Sequence, residues 1–342
     1  MVFKVNLKKN KLISFALIFI IGISISGCKE DTNKKLSRKS KIHYKTVTLI
    51  QEWFPYSGYA GEVMAINETA HKNGLDIKLN AGSDEIDPVK MVISGEDDFG
   101  VASADKVISA NERGANLVVI GVINYSSPTC YISKKEKNIN KPKDFEGHKI
   151  GILTGTNTEF IYKALVNKLK LDKTKLKEVD IPFDLGTFIT DSYDVRPAFV
   201  YDEPVTLDEK KIKYNLIKPV DYDIHFLGTV YFTTKENIKN NPKIVQSFVN
   251  ALAEGWEKAL KNPSKAIEYL KKYDSNINVK REYASLQKGL SYFEGQDKKV
   301  LYAKAQEWEK MVVILKELKV IKTFDFNKSV DQRFINKYHQ FK

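Results

Sequence analysis

The chain has 342 residues, 42% of them hydrophobic and 29% charged, which is enough apolar material for a sizeable buried core and excludes a wholly disordered or coiled-coil chain. The formal charge is +12, yet only five of the 55 basic residues are arginines (Arg38, Arg113, Arg196, Arg281, Arg333), and they form no cluster. Scattered lysine reads as solvated surface, which argues against nucleic acid as a partner.

Residues 1–27 contain Lys4, Lys8, Lys9 and Lys11 and no acid, so the rest of the chain carries +8. An apolar run of 15 residues, 12–26, follows the lysines; it is short for a bilayer span and suits the core of an export signal. At its end Ser26-Gly27-Cys28 is similar to the bacterial lipobox, which implies cleavage before Cys28 and a diacylglyceryl group on its thiol. An ordinary signal peptide with an incidental cysteine is the alternative. On the lipobox reading, residues 1–27 are signal peptide and 28–45 a lipidated N-terminus with a polar linker. The protein is then a lipoprotein of the cell envelope, facing the periplasm or exterior. Each buried methylene stabilises such an anchor by about 0.8 kcal/mol. Lipidation of Cys28 leaves Cys130 as the other cysteine, so no disulfide framework is expected. The five histidines (His43, His71, His148, His225, His339) are dispersed, without the spacing of a metal site.

From residue 47 short apolar strands alternate with helices. Strands are predicted at 47–51, 76–79, 99–102 and 117–123, with helices opening near Gly61, Asp87 and Asp105. A second series places strands at 149–153, 177–181 and 195–201 and helices at 159–170 and 185–190. Extended segments at 129–133 and 229–234 flank that series, so the chain is expected to leave one lobe near residue 133 and return near 233. Lobe one then takes residues 46–132 and 235–342, and lobe two takes 133–234. After the return the pattern is helical, with Phe248, Leu252 and Trp256 at spacing four; Trp256 and Trp308 are assigned to core. This alternation gives an α/β fold with ligand sites at the carboxyl ends of strands.

Five stretches together carry a family resemblance: the lipobox, the loop at 52–61 (EWFPYSGYAG), 94–102 (SGEDDFGVA), 141–151 (KPKDFEGHKIG) and 194–204 (DVRPAFVYDEP). In this order and spacing the chain resembles solute-binding proteins of ABC importers, in the nitrate, sulfonate and thiamine-precursor group that shares its fold with thiamine-pyrimidine synthases. The resemblance implies a two-lobed periplasmic-binding-protein fold of type II, with two crossovers and a helical C-terminal region. It also implies a monomer that closes around a small-molecule ligand and is read by a permease and its ATPase.

Candidate ligand-binding residues lie at strand ends. Trp53 and Tyr56 sit in an aromatic loop with no helical or alternating period, and a flat ligand would use them as a wall; Phe54 and Tyr59 are expected to seal the loop. Ser83, Ser103, Asp105, Thr154, Thr156 and Asn157 precede or open helices, where they serve either as caps or as ligand contacts. Tyr125 either reaches the cleft or packs within its strand. In the second lobe the candidates are Arg196, Tyr201 and Glu203, with Arg196 equally placed to pair with Asp194 or Glu203. These groups are aromatic and acidic more than basic, which favours a nitrogen heterocycle of the thiamine-type aminopyrimidine class over a sulfonate or nitrate. No G-x-S-x-G elbow occurs, and the cysteine-rich iron-binding stretch of the synthases is missing, so a binding protein without cofactor or metal is expected rather than an enzyme. A pyrimidine-synthase-like enzyme or a surface sensor is the further alternative.

Overall fold

The structure is a computed structural model that describes residues 43–341. The expected signal segment, Cys28 and most of the linker lie outside the described residues. Ten strands form two five-stranded sheets. The first contains β1 (Lys45–Ile50), β2 (Leu75–Asn80), β3 (Phe99–Ser103), β4 (Leu117–Val122) and β10 (Thr229–Thr234), in the order β2-β1-β3-β10-β4. The second contains β5 (Thr129–Lys134), β6 (Lys149–Ile152), β7 (Lys177–Asp180), β8 (Val195–Phe199) and β9 (Tyr214–Ile217), in the order β7-β6-β8-β5-β9. In the first sheet β1 runs parallel to β2 and β3, while β10 is antiparallel to β3 and β4. The second repeats the scheme, with β5 as its antiparallel member. Two sheets that exchange the chain twice make the two-lobed, two-crossover arrangement.

The crossings differ in position from the sequence expectation. Thr129–Lys134 belongs to the second sheet and Thr229–Thr234 to the first, so junctions near residues 133 and 233, with the second lobe as 133–234, would place most of the former strand and all of the latter in the other lobe. The chain instead crosses between β4 and β5 and between β9 and β10. The two crossings run side by side: Ser127 N donates to Phe226 O at 2.8 Å and Gly228 N to Asn124 O at 2.9 Å. A Cβ at Gly228 would lie 2.7 Å from that of Asn124, so the approach requires glycine.

Helices α1 (Ala60–Met64), α2 (Pro88–Ser94) and α3 (Ala104–Glu112) follow strands of the first sheet; α4 (Asn157–Lys168), α5 (Gly186–Ile189) and α6 (Glu203–Glu209) follow strands of the second. Local chemistry sets their ends. Asp87 caps α2 by accepting from Val89 N at 3.1 Å, Pro88 occupies its first turn, and Gly95 ends it with φ of 80°. After β10 come α7 (Lys235–Asn240), α8 (Pro242–Lys261), α9 (Pro263–Leu270), α10 (Val279–Phe293) and α11 (Ala305–Glu317). Helix α8 returns to the first lobe and packs on α1 with Val245, Phe248, Val249, Leu252 and Trp256 buried. Trp256 stacks on Phe293 of α10, centroids 4.8 Å apart, and Trp308 is likewise buried, so both serve the core. At about 25 cal/mol per Å² of apolar surface, these rings are among the largest contributors to core burial.

Candidate functional site

A cleft of about 710 Å³ opens at the carboxyl ends of strands from both sheets. The segment after β1 forms its first wall. Trp53 N donates to the hydroxyl of Tyr59 at 2.9 Å, and Gly82 N donates to Trp53 O at 3.2 Å. A Cβ on Gly82 would stand 2.2 Å from Gln51 O, so only glycine lets the loop after β2 lie this close. Beneath the loop, Glu62 accepts from Gln51 Nε2 at 2.6 Å and from the Tyr231 hydroxyl at 3.1 Å; that hydroxyl in turn accepts from Trp256 Nε1 at 2.9 Å. Burial pushes the Glu62 carboxyl up to about 8. Burial thus favours the proton-bearing form of the acid that supports the floor of the aromatic loop.

Across the cleft, Phe183 projects from the segment between β7 and α5, and its ring meets Trp53 at 4.7 Å between centroids with planes tilted by 46°. Phe54 touches the edge of Trp53 at 5.4 Å but is 52% exposed, so it forms an outer rim and does not seal the loop. Tyr59 is buried and does seal it. Tyr56 lines the cleft beside Tyr59, with ring centroids 4.9 Å apart.

The polar centre is Asp105 at the start of α3. It is 1% exposed, lines the cleft, and its Oδ1 has no hydrogen-bond partner in the protein. Burial, reinforced by the charge of Glu52, pushes its carboxyl up to about 7. Burial also raises Glu52, which sits 3.9 Å from Lys106 Nζ; that lysine is 3.3 Å from Asp87 as well. A buried carboxyl with an open oxygen is a strong hydrogen-bonding group awaiting a partner, because leaving it unpaired costs about 1–3 kcal/mol.

Of the residues expected at the site, Trp53, Tyr56, Ser83, Ser103, Asp105, Thr154, Thr156, Asn157 and Glu203 line this cleft. Three do not. Arg196 is fully buried behind it and donates to the carbonyls of Phe183, Asp184 and Pro197 at 3.2, 3.0 and 3.1 Å. Tyr201 is buried against Phe293 and Tyr292 of α10, and its carbonyl accepts from Ser285. Tyr125 is half-buried among core residues beside the crossing. Glu203 reaches the cleft wall, but its carboxylate already accepts from Phe199 N at 2.9 Å and lies 3.4 Å from Arg196. Thr154 bonds Asp180, and Thr156 bonds Leu153 O at 2.8 Å, so these hydroxyls are largely committed to shaping the turn before α4.

Sequence reasoning did not single out Glu52, Phe183, Asp202 or Arg281, all of which line the cleft. Glu52 and Phe183 follow strands directly, and the strand-end rule applied to Trp53 would have found them. Arg281 of α10 pairs with Asp202 of the second lobe and lies 2.5 Å from Glu282, a long-range meeting with no local signal. Among the described residues no cluster of His, Cys, Asp and Glu is arranged to hold a metal ion, and no helix is long and apolar enough to cross a membrane.

Comparison with known proteins follows this geometry. The chain is 21% identical over 268 residues to a formylaminopyrimidine-binding protein of Halalkalibacterium halodurans, covering 77% of this chain and 79% of the relative. It is 23% identical over 296 residues to a 4-amino-5-hydroxymethyl-2-methylpyrimidine phosphate synthase of Legionella pneumophila, covering 84% and 92% respectively. The periplasmic aliphatic sulphonate binding protein SsuA of Escherichia coli has the same fold, with a TM-score of 0.65 at 14% identity over 84% of this chain and 92% of that one. The profile of one family matches residues 71–266, more than half the sequence and the whole of the second sheet: the chain belongs to the NMT1/THI5-like family.

Proposed function

We propose that the protein is the extracytoplasmic solute-binding component of an ABC importer, and that its ligand is a small aminopyrimidine of the thiamine-precursor type. The observation that carries this reading is the open Oδ1 of buried Asp105 in a cleft walled by Trp53, Tyr56 and Phe183. An aminopyrimidine presents a ring nitrogen that accepts and an adjacent amino group that donates. A protonated carboxyl matches that edge with one donor and one acceptor, while its flat faces suit the aromatic walls.

Charge supports the same class. The cleft lining holds five acids (Glu52, Asp84, Asp105, Asp202, Glu203) against Lys106, Arg113 and Arg281, and of these bases Lys106 and Arg281 already face carboxylates. With Asp105 protonated, four acids face three bases, two of them already paired, so the lining offers a sulfonate or nitrate little net positive charge and suits a neutral heterocycle. The formylaminopyrimidine-binding relative supports the ligand class, and the synthase relative keeps pyrimidine chemistry in view. In this reading Cys28 carries the lipid anchor, the protein acts as a monomer, and closure of the lobes presents the loaded form to a permease and its ATPase.

The test is a titration of tryptophan fluorescence with formylaminopyrimidine, other aminopyrimidines, taurine, alkyl sulfonates and nitrate. Saturable binding of an aminopyrimidine with no response to the anions is expected. Tight sulfonate or nitrate binding without response to any heterocycle would overturn the reading.

A further inference from the structure

The second aromatic wall of the cleft rests on a buried group that does not itself line the cleft. Phe183 lies in a short segment between β7 and α5, and its side chain is 46% exposed, so packing alone holds its ring weakly. Local bonds shape the turn: Asp184 Oδ2 accepts from Gly186 N at 2.8 Å, and Thr187 reaches Asp184 O at 3.4 Å. Among the described hydrogen bonds, those that tie residues 182–184 to a different element come from Arg196 on β8, whose guanidinium donates to Phe183 O at 3.2 Å and Asp184 O at 3.0 Å.

Arg196 is 0% exposed, and a guanidinium so placed costs several kcal/mol unless its donors are used. Its other donors go to Pro197 O at 3.1 Å and toward Glu203 at 3.4 Å, which fixes the fork from behind. A planar fork can span two consecutive carbonyls at once, whereas an ammonium is a single point charge with no such plane. The buried fork therefore sets the path of the backbone that carries Phe183, and Phe183 meets Trp53 from the opposite lobe.

We propose that Arg196 is a positioning residue for ligand binding: it holds Phe183 against Trp53, and the paired rings form the wall on which a flat ligand lies. The ligand role rests on the aminopyrimidine reading; the link from Arg196 through Phe183 to Trp53 does not.

Two measurements on the full chain test it, with Phe183→Ala, Arg196→Lys and the double variant. In the first, without added ligand, the Trp53 indole N–H resonance is identified by its loss in Trp53→Phe. Both single variants should shift it in the same direction, and Arg196→Lys should add little once Phe183 is alanine. In the second, affinity for formylaminopyrimidine should fall about tenfold in each single variant and no further in the double variant, because both loosen the same aromatic wall. Losses that add in full, or an Arg196→Lys protein whose Trp53 resonance stays at the wild-type position, would overturn the proposal. If Arg196→Lys does not fold, Arg196→Gln keeps an amide donor for one carbonyl and should give the same pattern at smaller amplitude. A wild type that binds no aminopyrimidine would refute the ligand reading, and the resonance measurement would still decide the positioning role.

Discussion

Asp105 and Glu203 occupy matching places in the two lobes, each following a strand and opening a helix, yet they meet different fates. Glu203 accepts from Phe199 N at 2.9 Å and faces the buried guanidinium of Arg196, so its charge is used inside its own lobe. Asp105 is more deeply placed, 1% exposed against 20% for the Glu203 side chain, yet its Oδ1 has no partner in the protein and burial pushes the group up to about 7. Position at a strand end therefore nominates a carboxyl for binding, and satisfaction by neighbours decides whether it remains available. The lobes divide the work accordingly: the first supplies the open acid and Trp53, the second a pre-tied wall that carries Phe183.

The largest effect is expected at Asp105. Asp105→Leu removes donor and acceptor together and should weaken aminopyrimidine binding about 100-fold by calorimetry. Asp105→Asn keeps one donor and one acceptor, so it should remain within about tenfold of wild type while losing the pH dependence. The sign follows from the raised carboxyl. Below about 7 the free protein already holds the proton that the ring nitrogen accepts, and affinity is flat; above it the proton must be taken up, and affinity for a neutral ring falls toward about tenfold per pH unit. The charge of Glu52, which raises the group, and that of Lys106, which lowers it, modulate the midpoint.

Next comes the wall. Trp53→Ala should cost at least about tenfold in affinity, read by calorimetry since the fluorophore is gone. A smaller loss is expected from the contact that spans the lobes beside the cleft. Arg281→Met breaks the pair with Asp202 and should raise the ligand off-rate no more than about fivefold, because a partly exposed ion pair is worth up to about 1 kcal/mol. The smallest binding effect sharpens the opening contrast. Glu203→Gln should change affinity less than about threefold, yet lower the melting temperature by several degrees, because Arg196 loses its carboxylate partner. A Glu203→Gln loss as large as that of Asp105→Leu would erase the distinction between the two acids.

Much of this was legible in the sequence. β3 and β4 are nearly continuous apolar runs bounded by polar turns, and helices on both faces of a sheet require that pattern. Asp105 and Trp53 were visible as strand-end residues of a type that packing does not demand. The crossing points were not, because an extended run such as Thr129–Lys134 reads the same whichever sheet it joins; long-range pairing with β8 and β9 decides. β9 (Tyr214–Ile217) is too short to show a period. Arg196 looked like a ligand contact because a lone arginine near a cleft suggests one, while the carbonyls that consume it lie 12 and 13 residues away along the chain. Arg281 meets Asp202 through the packing of α10 against α6, which no local pattern encodes.

The most direct measurement is a crystal structure of the protein grown with formylaminopyrimidine at neutral pH. The pyrimidine is expected against the wall formed by Trp53 and Phe183, with its ring nitrogen and amino group about 2.9 Å from the Asp105 carboxyl. A ring bound elsewhere, or bound in the cleft with Asp105 Oδ1 still without a partner, would contradict the assignment of Asp105 as the group that selects the ligand.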